Sequence, residues 1–134
     1  MKGKLHYLDL VVYPIPVYIT FHYLTATIQF PEILEFRGED GMERTGGITA
    51  NVIDHRDRRS VVICIPADPA VEDCIGIEVA AHEAAHAAFF VLEVTGVEFV
   101  PNGSANEAYA YLIGMINAEI HSRFFDERKL IQAL

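Results

Sequence analysis

Positive charge, cysteine and long apolar runs are all scarce in this chain of 134 residues. Ten Lys and Arg stand against nineteen Asp and Glu, and the formal net charge of −9 repels phosphate backbones and anionic lipid surfaces. No uninterrupted apolar stretch reaches the roughly 18 residues that a transmembrane helix needs. We therefore expect neither a nucleic-acid partner nor a membrane partner.

Only two cysteines occur, Cys64 and Cys74, which are too few for a disulfide framework and do not form a zinc-type CxxC pair. We expect both to be buried, reduced thiols, with a disulfide as the alternative. The apolar run over residues 5–19 imitates a secretory signal, but Asp9 and Pro14 interrupt it and no clear small-residue cleavage site follows. The chain is therefore predicted to be cytoplasmic, with secretion as the alternative.

Hydrophobic residues make up 51% of the chain, enough for one core, and we expect a single domain over residues 1–134. β-Branched and aromatic residues dominate the first 30 positions, which predicts one or two strands there. The glycine-rich stretch 37–47 reads as a loop. Apolar runs at 48–53 and 60–65 flank six polar residues and predict a hairpin with a long polar tip.

An alanine-rich segment over residues 73–94 predicts a helix that Gly96 terminates, and its apolar character nearly all round predicts burial. Ser104 as N-cap, with Glu107 three residues later, predicts a second long helix from about 105 to 125 or to the C-terminus. Strands followed by helices indicate an α+β domain, with a mostly antiparallel N-terminal sheet before the two helices.

The first of these helices carries an HExxH motif, His82-Glu83-Ala84-Ala85-His86. Residues four apart lie one above the other on a helix, so the two imidazoles can bind one metal ion, Zn²⁺. Glu83 is then placed to take a proton from a water molecule. The alternative is a pair of core histidines that hydrogen-bond to their neighbours.

A catalytic zinc ion needs a third protein ligand and an open position for water. Phe89 and Leu92 occupy the places of the glycine and third histidine of the extended motif. Glu107, 21 residues after His86, is the best candidate, because an antiparallel pair of helices would return it to the metal. A capping box with Ser104 would instead give Glu107 a role without any metal.

The motif with a glutamate about twenty residues downstream resembles the gluzincin branch of the zincin metallopeptidases. The resemblance covers mainly residues 79–111 and implies a small zincin-like domain in which His82, His86 and Glu107 bind zinc and Glu83 is the general base. It also implies that the strand 60–65 lies along the cleft and pairs with an extended peptide or protein substrate. The chain is similar, further, to small zincin-like proteins of phages and prophages.

Two tyrosines follow the predicted third ligand. Tyr111 stands where thermolysin-like members of the family have an aspartate that orients a zinc-bound histidine. Tyr109 or Tyr111 could stabilise an oxyanion, although a tyrosine on such a helix is more often part of the core or its rim. Met115 and Ile116 are read as core, together with Phe89, Phe90 and Leu92.

The sequence thus predicts a zinc-dependent peptidase. A catalytically weak or inactive zincin-shaped module that binds protein through the hairpin edge is the alternative. The four remaining histidines receive no role: His55 and His121 are read as solvated, and His6 and His22 as strand residues without partners at ligand spacing. The arginines of the hairpin tip are read as a solvated turn, with an acidic substrate end as the alternative; they are Arg56, Arg58 and Arg59.

Overall fold

A four-stranded mixed sheet forms the centre of the molecule in the computed structural model, which describes residues 3–36, 46–98 and 105–134. The strands are β1 (His6–Leu8), β2 (Val17–Thr20), β3 (Ile48–Ile53) and β4 (Arg59–Cys64), in the order β1-β2-β4-β3. The two outer pairs are antiparallel and the central pair, β2 with β4, is parallel. The predicted α+β class is confirmed, and so is the hairpin formed by β3 and β4.

Within the described residues, three α-helices and one 3-10 helix accompany the sheet: α1 (Tyr23–Gln29), the 3-10 helix Pro31–Phe36, α2 (Ile77–Val94) and α3 (Ala105–Gln132). None of the helices in the described ranges combines the length and the apolar character that crossing a membrane requires. The predicted loop lies outside the described residues except for Gly46 and Gly47, and so does the predicted N-cap Ser104.

The one or two strands predicted in the first 30 residues are confirmed as β1 and β2, but the helix α1 that follows them was not predicted. Its Thr25, Thr27 and Ile28 are β-branched, but local preference of this kind is weak and packing overrides it. Ala26 is fully buried against the sheet, and its backbone N–H donates to His22 O while its own carbonyl accepts from Phe30 N. A small buried residue and these local hydrogen bonds favour the helical turn.

Two apolar clusters cover the two faces of the sheet, because successive strand residues point to opposite sides. Val17, Ile19, Val61 and Ile63 face α2 and α3, which pack as an antiparallel pair on that side. Tyr18, Val62 and Cys64 face the opposite way, toward α1 and the 3-10 helix. The molecule therefore has three layers. The helix α2, which carries the HExxH motif, packs on the larger of the two clusters, the one that contains Val17, Ile19, Val61 and Ile63, and we call this cluster the larger core.

The C-terminal end of α2 is fixed by the glycine that the sequence singled out. Gly96 has φ +85°, a left-handed conformation that favours glycine. Its N–H donates to Glu93 O and the N–H of Val97 donates to Leu92 O, which is the Schellman pattern of hydrogen bonds. The start of α2 is later than predicted, at Ile77 and not at residue 73.

The hairpin tip is held by one buried carboxylate, Asp54. Its Oδ1 accepts the backbone N–H groups of Arg56 and Arg58, and its Oδ2 accepts the Tyr18 hydroxyl and the Arg58 guanidinium, each at 2.9 Å. Burial alone would raise the pKa of Asp54, but these hydrogen bonds hold it well below its usual range. Arg58 therefore has a structural partner, while Arg56 and Arg59 are exposed.

Asp54→Asn is expected to lower the free energy of unfolding by about 1–3 kcal/mol at pH 7, because it removes the charge that these donors stabilise. Folding lowers the pKa of Asp54, so its charge stabilises the folded state at pH values above 3.8, the pKa in the unfolded chain. This stabilisation is lost as the pH falls through the lower pKa of the folded state. Urea denaturation from pH 7 downward should show the two proteins converging below about pH 4.

The control is Asp57→Asn in the same turn. Asp57 is exposed with φ +60°, a conformation that asparagine also adopts. This variant should unfold like the wild type at every pH. If the two substitutions lowered the free energy of unfolding equally, the claim that Asp54 stabilises the hairpin tip would be contradicted.

Candidate metal centre

The orientation of the HExxH motif follows from the small residues around it. Ala80, Ala84, Ala87 and Ala88 are fully buried between α2 and the larger core. Because a helix turns 100° per residue, this leaves His82 and His86 on the opposite, exposed face. The prediction that α2 is buried nearly all round is therefore wrong, since one polar stripe faces outward.

The two imidazoles of the motif lie on this stripe in a T-shaped arrangement, with an angle of 75° between the ring planes. The Nε2 atoms of His82 and His86 are 3.1 Å apart, and the ring centroids are 4.7 Å apart. Two nitrogens bound to one tetrahedral zinc ion at 2.0–2.1 Å would be separated by about 3.3 Å. The pair therefore fits two adjacent positions around zinc, and the same spacing also suits an N–H···N hydrogen bond between the rings.

Glu83 points to a different side from the histidines, toward the sheet. Its side chain is buried, and its Oε1 accepts a hydrogen bond of 2.8 Å from Thr49 Oγ1 on β3. The same hydroxyl lies 3.2 Å from the Glu83 carbonyl oxygen. Gly47 makes room for this arrangement, since a Cβ there would stand 2.9 Å from Glu83 Cγ and 3.2 Å from the Cys64 carbonyl oxygen.

A shallow depression of about 190 Å³ lies beside both His82 and Glu83 of the motif. Its lining residues are Glu78, Val79, His82 and Glu83. The depression therefore borders both His82 of the exposed pair and the buried residue Glu83. Proximity of a metal ligand and a proton acceptor is the chemical requirement of a zinc hydrolase.

The structure does not bring Glu107 to the histidines. Tyr109 is buried, its ring lies 4.9 Å from that of Phe89, and its hydroxyl donates to Val97 O. These contacts set the first turn of α3 beside the last turns of α2, beyond His86, and Glu107 is exposed there. Within residues 3–36, 46–98 and 105–134, no three His, Cys, Asp or Glu side chains form a group that could hold a metal ion.

The two tyrosines proposed for an oxyanion occupy contrasting positions. Tyr109 is part of the core between α2 and α3, with its hydroxyl turned to a backbone carbonyl. Tyr111 is 73% exposed on α3. Of the residues read as core, Leu92 and Ile116 are fully buried, and Phe90 and Met115 are partly so. Phe89, in contrast, is 44% exposed on the same stripe of α2 as the histidines.

The expectation that a substrate pairs with strand 60–65 is wrong. β4 is hydrogen-bonded to β2 on one side and to β3 on the other, so neither of its edges is open. Among the described strands, β3 forms the edge of the sheet nearest the motif, and it carries both Gly47 and Thr49 at or just before its start. The strand next to the motif is thus an edge strand, but it is the other strand of the hairpin.

Both cysteines are free thiols, and they differ in environment. Cys64 is the last residue of β4 and is fully buried. This burial, and to a smaller extent the nearby charge of Glu83, raise the pKa of its thiol to about 12. Cys74 is exposed in the connection before α2, so the prediction of a buried thiol is wrong for this residue. Cys64 is therefore an unreactive core residue, because only the thiolate is nucleophilic.

A second cluster of titratable groups, which the sequence did not reveal, joins the two ends of the chain. Glu127 on α3 is buried and accepts from two histidines, His6 Nε2 at 2.6 Å through Oε1 and His22 Nε2 at 3.1 Å through Oε2. Burial alone would raise the pKa of Glu127, but these two contacts lower it. A cavity of about 360 Å³ lies beside His22 and Glu127.

The reading of His6 and His22 as residues without partners is therefore incomplete. Their partner stands 121 and 105 residues away along the chain. Nothing in the local pattern could identify it, because the spacing rules for helices and strands connect only residues a few positions apart.

Comparison with protein-family models, with curated proteins and with solved structures finds no match to this chain.

Gly47→Ala is expected to lower the free energy of unfolding by about 1–3 kcal/mol, because the added Cβ overlaps the buried Glu83 side chain and the backbone of β4. Gly114→Ala on α3 is the control. A Cβ at Gly114 meets nothing within 4 Å, and alanine stabilises a helix interior by about 0.5–1 kcal/mol. Denaturant unfolding should show opposite signs for the two variants, and an unchanged Gly47→Ala would contradict the close packing of Glu83.

His6→Ala and Glu127→Ala are expected to be coupled, because each removes the same buried hydrogen bond. A double-mutant cycle at pH 7 should give an interaction free energy of roughly 1–3 kcal/mol. The same cycle with His55, which is exposed in the hairpin tip, should give a value near zero. Additive effects of the first pair would show that the contact contributes nothing specific to stability.

Proposed function

We propose that this chain is a zinc-dependent peptidase of gluzincin type, acting on a peptide or protein substrate. The observation that carries the proposal is the arrangement of the motif: two exposed imidazole nitrogens at 3.1 Å, with a buried carboxylate beside the same depression. His82 and His86 would hold the metal, and Glu107 remains the predicted third ligand. A cytoplasmic setting is part of the same proposal.

Zinc, when bound, supplies a Lewis acid that polarises a carbonyl group and acidifies water. The chain's own residues supply the proton transfer. The Thr49 hydroxyl donates to Oε1 of Glu83 and orients the carboxylate, which leaves Oε2 as the atom that accepts a proton from the attacking water. The same oxygen then passes the proton to the departing amine.

An extended substrate would pair with β3, because this strand is the sheet edge beside Glu83. The N–H of Ile53 at the end of β3 donates to Glu32 Oε2, and the outer N–H and C=O groups nearer Gly47 and Thr49 are the ones suited to adding one more strand. The pairing would carry the peptide past Gly47 and Thr49 toward the depression. In this proposal the sheet edge binds the substrate backbone and α2 supplies the reacting groups.

A second candidate, a catalytically inactive zincin-shaped module that binds protein through β3, is favoured by one observation. The described residues bring no third ligand to the histidine pair. The two candidates differ in what Glu83 does. In the peptidase it moves protons, whereas in the binding module it only fills space against Gly47 and Thr49.

His82→Ala is expected to weaken zinc binding by roughly 100-fold or more, since it removes one of the ligands. Glu83→Gln should keep most of the zinc affinity, because the amide has the same shape, but should lower peptide hydrolysis by roughly 10²–10⁴-fold. Titration calorimetry with zinc and cleavage of a mixed peptide library measure the two effects.

His121→Ala is the matched control, because His121 lies on α3 outside the motif. Its zinc affinity and its cleavage rate should equal those of the wild type. Zinc binding that is insensitive to His82→Ala contradicts the metal centre. Zinc binding without cleavage of any peptide, in the wild type as in Glu83→Gln, favours the binding module.

A further inference from the structure

The cavity of about 360 Å³ beside Glu127 is bordered by three separate parts of the chain. Lys4 belongs to the N-terminal segment, Asp68 to the connection between β4 and α2, and Leu130 and Ile131 to the last turns of α3. Binding pockets for small molecules have volumes of about 300–1,000 Å³. This cavity therefore has the size for a ligand at the small end of that range.

The N-terminal wall of the cavity is fixed by close packing of Gly3 on the ring of His22. A Cβ at Gly3 would stand 2.1 Å from Cγ of His22, so the approach requires glycine. The Gly3 carbonyl oxygen also accepts a hydrogen bond from Thr25 Oγ1. Nε2 of His22 in turn lies 3.1 Å from Oε2 of the buried Glu127. Lys4, the residue after Gly3, thus starts from a well-defined backbone position.

The opposite wall is the connection between β4 and α2, and Arg128 on α3 holds it in place. The Arg128 guanidinium donates to the backbone carbonyl oxygens of Pro69 and Glu72 at 3.3 and 2.6 Å. Within this wall, Oδ1 of Asp68 accepts the N–H of Ala70 at 2.9 Å. Both walls are therefore formed before a ligand binds, which lowers the entropy cost of binding.

Two opposite charges border the cavity without neutralising each other. Lys4 carries an ammonium group and Asp68 a carboxylate, and within the described residues neither of them belongs to an ion pair. Glu127 adds no unmet acceptor, because each of its oxygens already contacts a histidine. An anion in the cavity would meet the charge of Asp68 and a cation that of Lys4. A molecule with both charges can pair with each of them.

The remaining lining of the cavity is apolar. Leu130 is 59% exposed, Ile131 is half-buried, and Ala70 lies on the side of the connection. An aliphatic group placed on these side chains would remove apolar surface from water, which favours binding. One ammonium group, one carboxylate and one apolar patch together complement a small zwitterion with an aliphatic side chain.

We propose that this cavity binds a free α-amino acid with a branched aliphatic side chain, such as leucine. The ammonium group of the ligand would pair with Asp68, its carboxylate with Lys4, and its side chain would cover Leu130. The inference does not rest on the proposed metal centre, because the cavity is built from the N-terminal segment, the connection and α3, whereas His82 and His86 lie on α2.

Titration calorimetry of the full chain with L-leucine tests this inference. The buffer contains a chelator, because amino acids also bind zinc. We expect a dissociation constant on the order of 0.1–1 mM, since both ion pairs are partly exposed. Isocaproate lacks the ammonium group and isopentylamine lacks the carboxylate, so each should bind at least roughly fivefold more weakly than leucine.

Asp68→Asn and Lys4→Met should each raise the dissociation constant for leucine by roughly fivefold. The asparagine keeps the oxygen that accepts the Ala70 N–H. Asp126→Asn and Lys129→Met are the matched controls, because both residues are exposed on α3 and do not border the cavity. Their affinities for leucine should equal that of the wild type.

The inference is overturned if leucine does not bind at concentrations up to about 10 mM. Equal affinities for leucine, isocaproate and isopentylamine overturn it too, and so do equal effects of the cavity variants and their controls. The double variant His82→Ala, His86→Ala should bind leucine as the wild type does, and loss of binding there would contradict the location of the site. Each of these results leaves the proposed peptidase standing, because none of them measures zinc binding or peptide cleavage.

Discussion

The packing of α2 on the central sheet is the constraint from which the site follows. Four alanines of this helix are fully buried, and they let the helix lie close to β3 and β4. A helix has only one angular setting that buries these alanines. Once that setting is fixed, the exposed face of His82 and His86 and the inward direction of Glu83 are fixed with it.

This division gives the motif two environments. The two imidazoles are exposed to solvent. Glu83, in contrast, is buried beside β3, where Thr49 donates a hydrogen bond to it. Its side chain has room there because Gly47 carries no side chain. A carboxylate oriented by a neighbouring hydroxyl is preorganised for proton transfer. In our proposal the edge strand therefore serves both the base, Glu83, and the substrate.

The ends of the chain are joined away from this site. Glu127 near the end of α3 holds His6 of β1 and His22 before α1, and Arg128 donates to the carbonyl oxygens of Pro69 and Glu72. These contacts fix α3 across the segment that leads into α2. The antiparallel helix pair is thus anchored at the end opposite to the Gly96 turn.

Local patterns in the sequence were sufficient for the hairpin, for both long helices and for the Gly96 terminus, because turn chemistry and helix periodicity act over a few residues. They failed for α1, where burial of Ala26 overrode β-branched neighbours. The family resemblance implied that the substrate pairs with β4, and local patterns could not correct it, because strand order in a sheet is a long-range property that adjacent residues do not encode. The hydrogen bond between Thr49 and Glu83, which are 34 residues apart, could not be predicted from local patterns for the same reason.

The central claim is that one zinc ion binds between His82 and His86. X-ray absorption spectroscopy at the zinc edge, on protein loaded with less zinc than binding sites, tests it most directly. The account predicts at least two imidazole nitrogens at about 2.0–2.1 Å, and their loss from the spectrum in the double variant His82→Ala, His86→Ala. A spectrum with fewer than two imidazoles, or one unchanged in that variant, would contradict it.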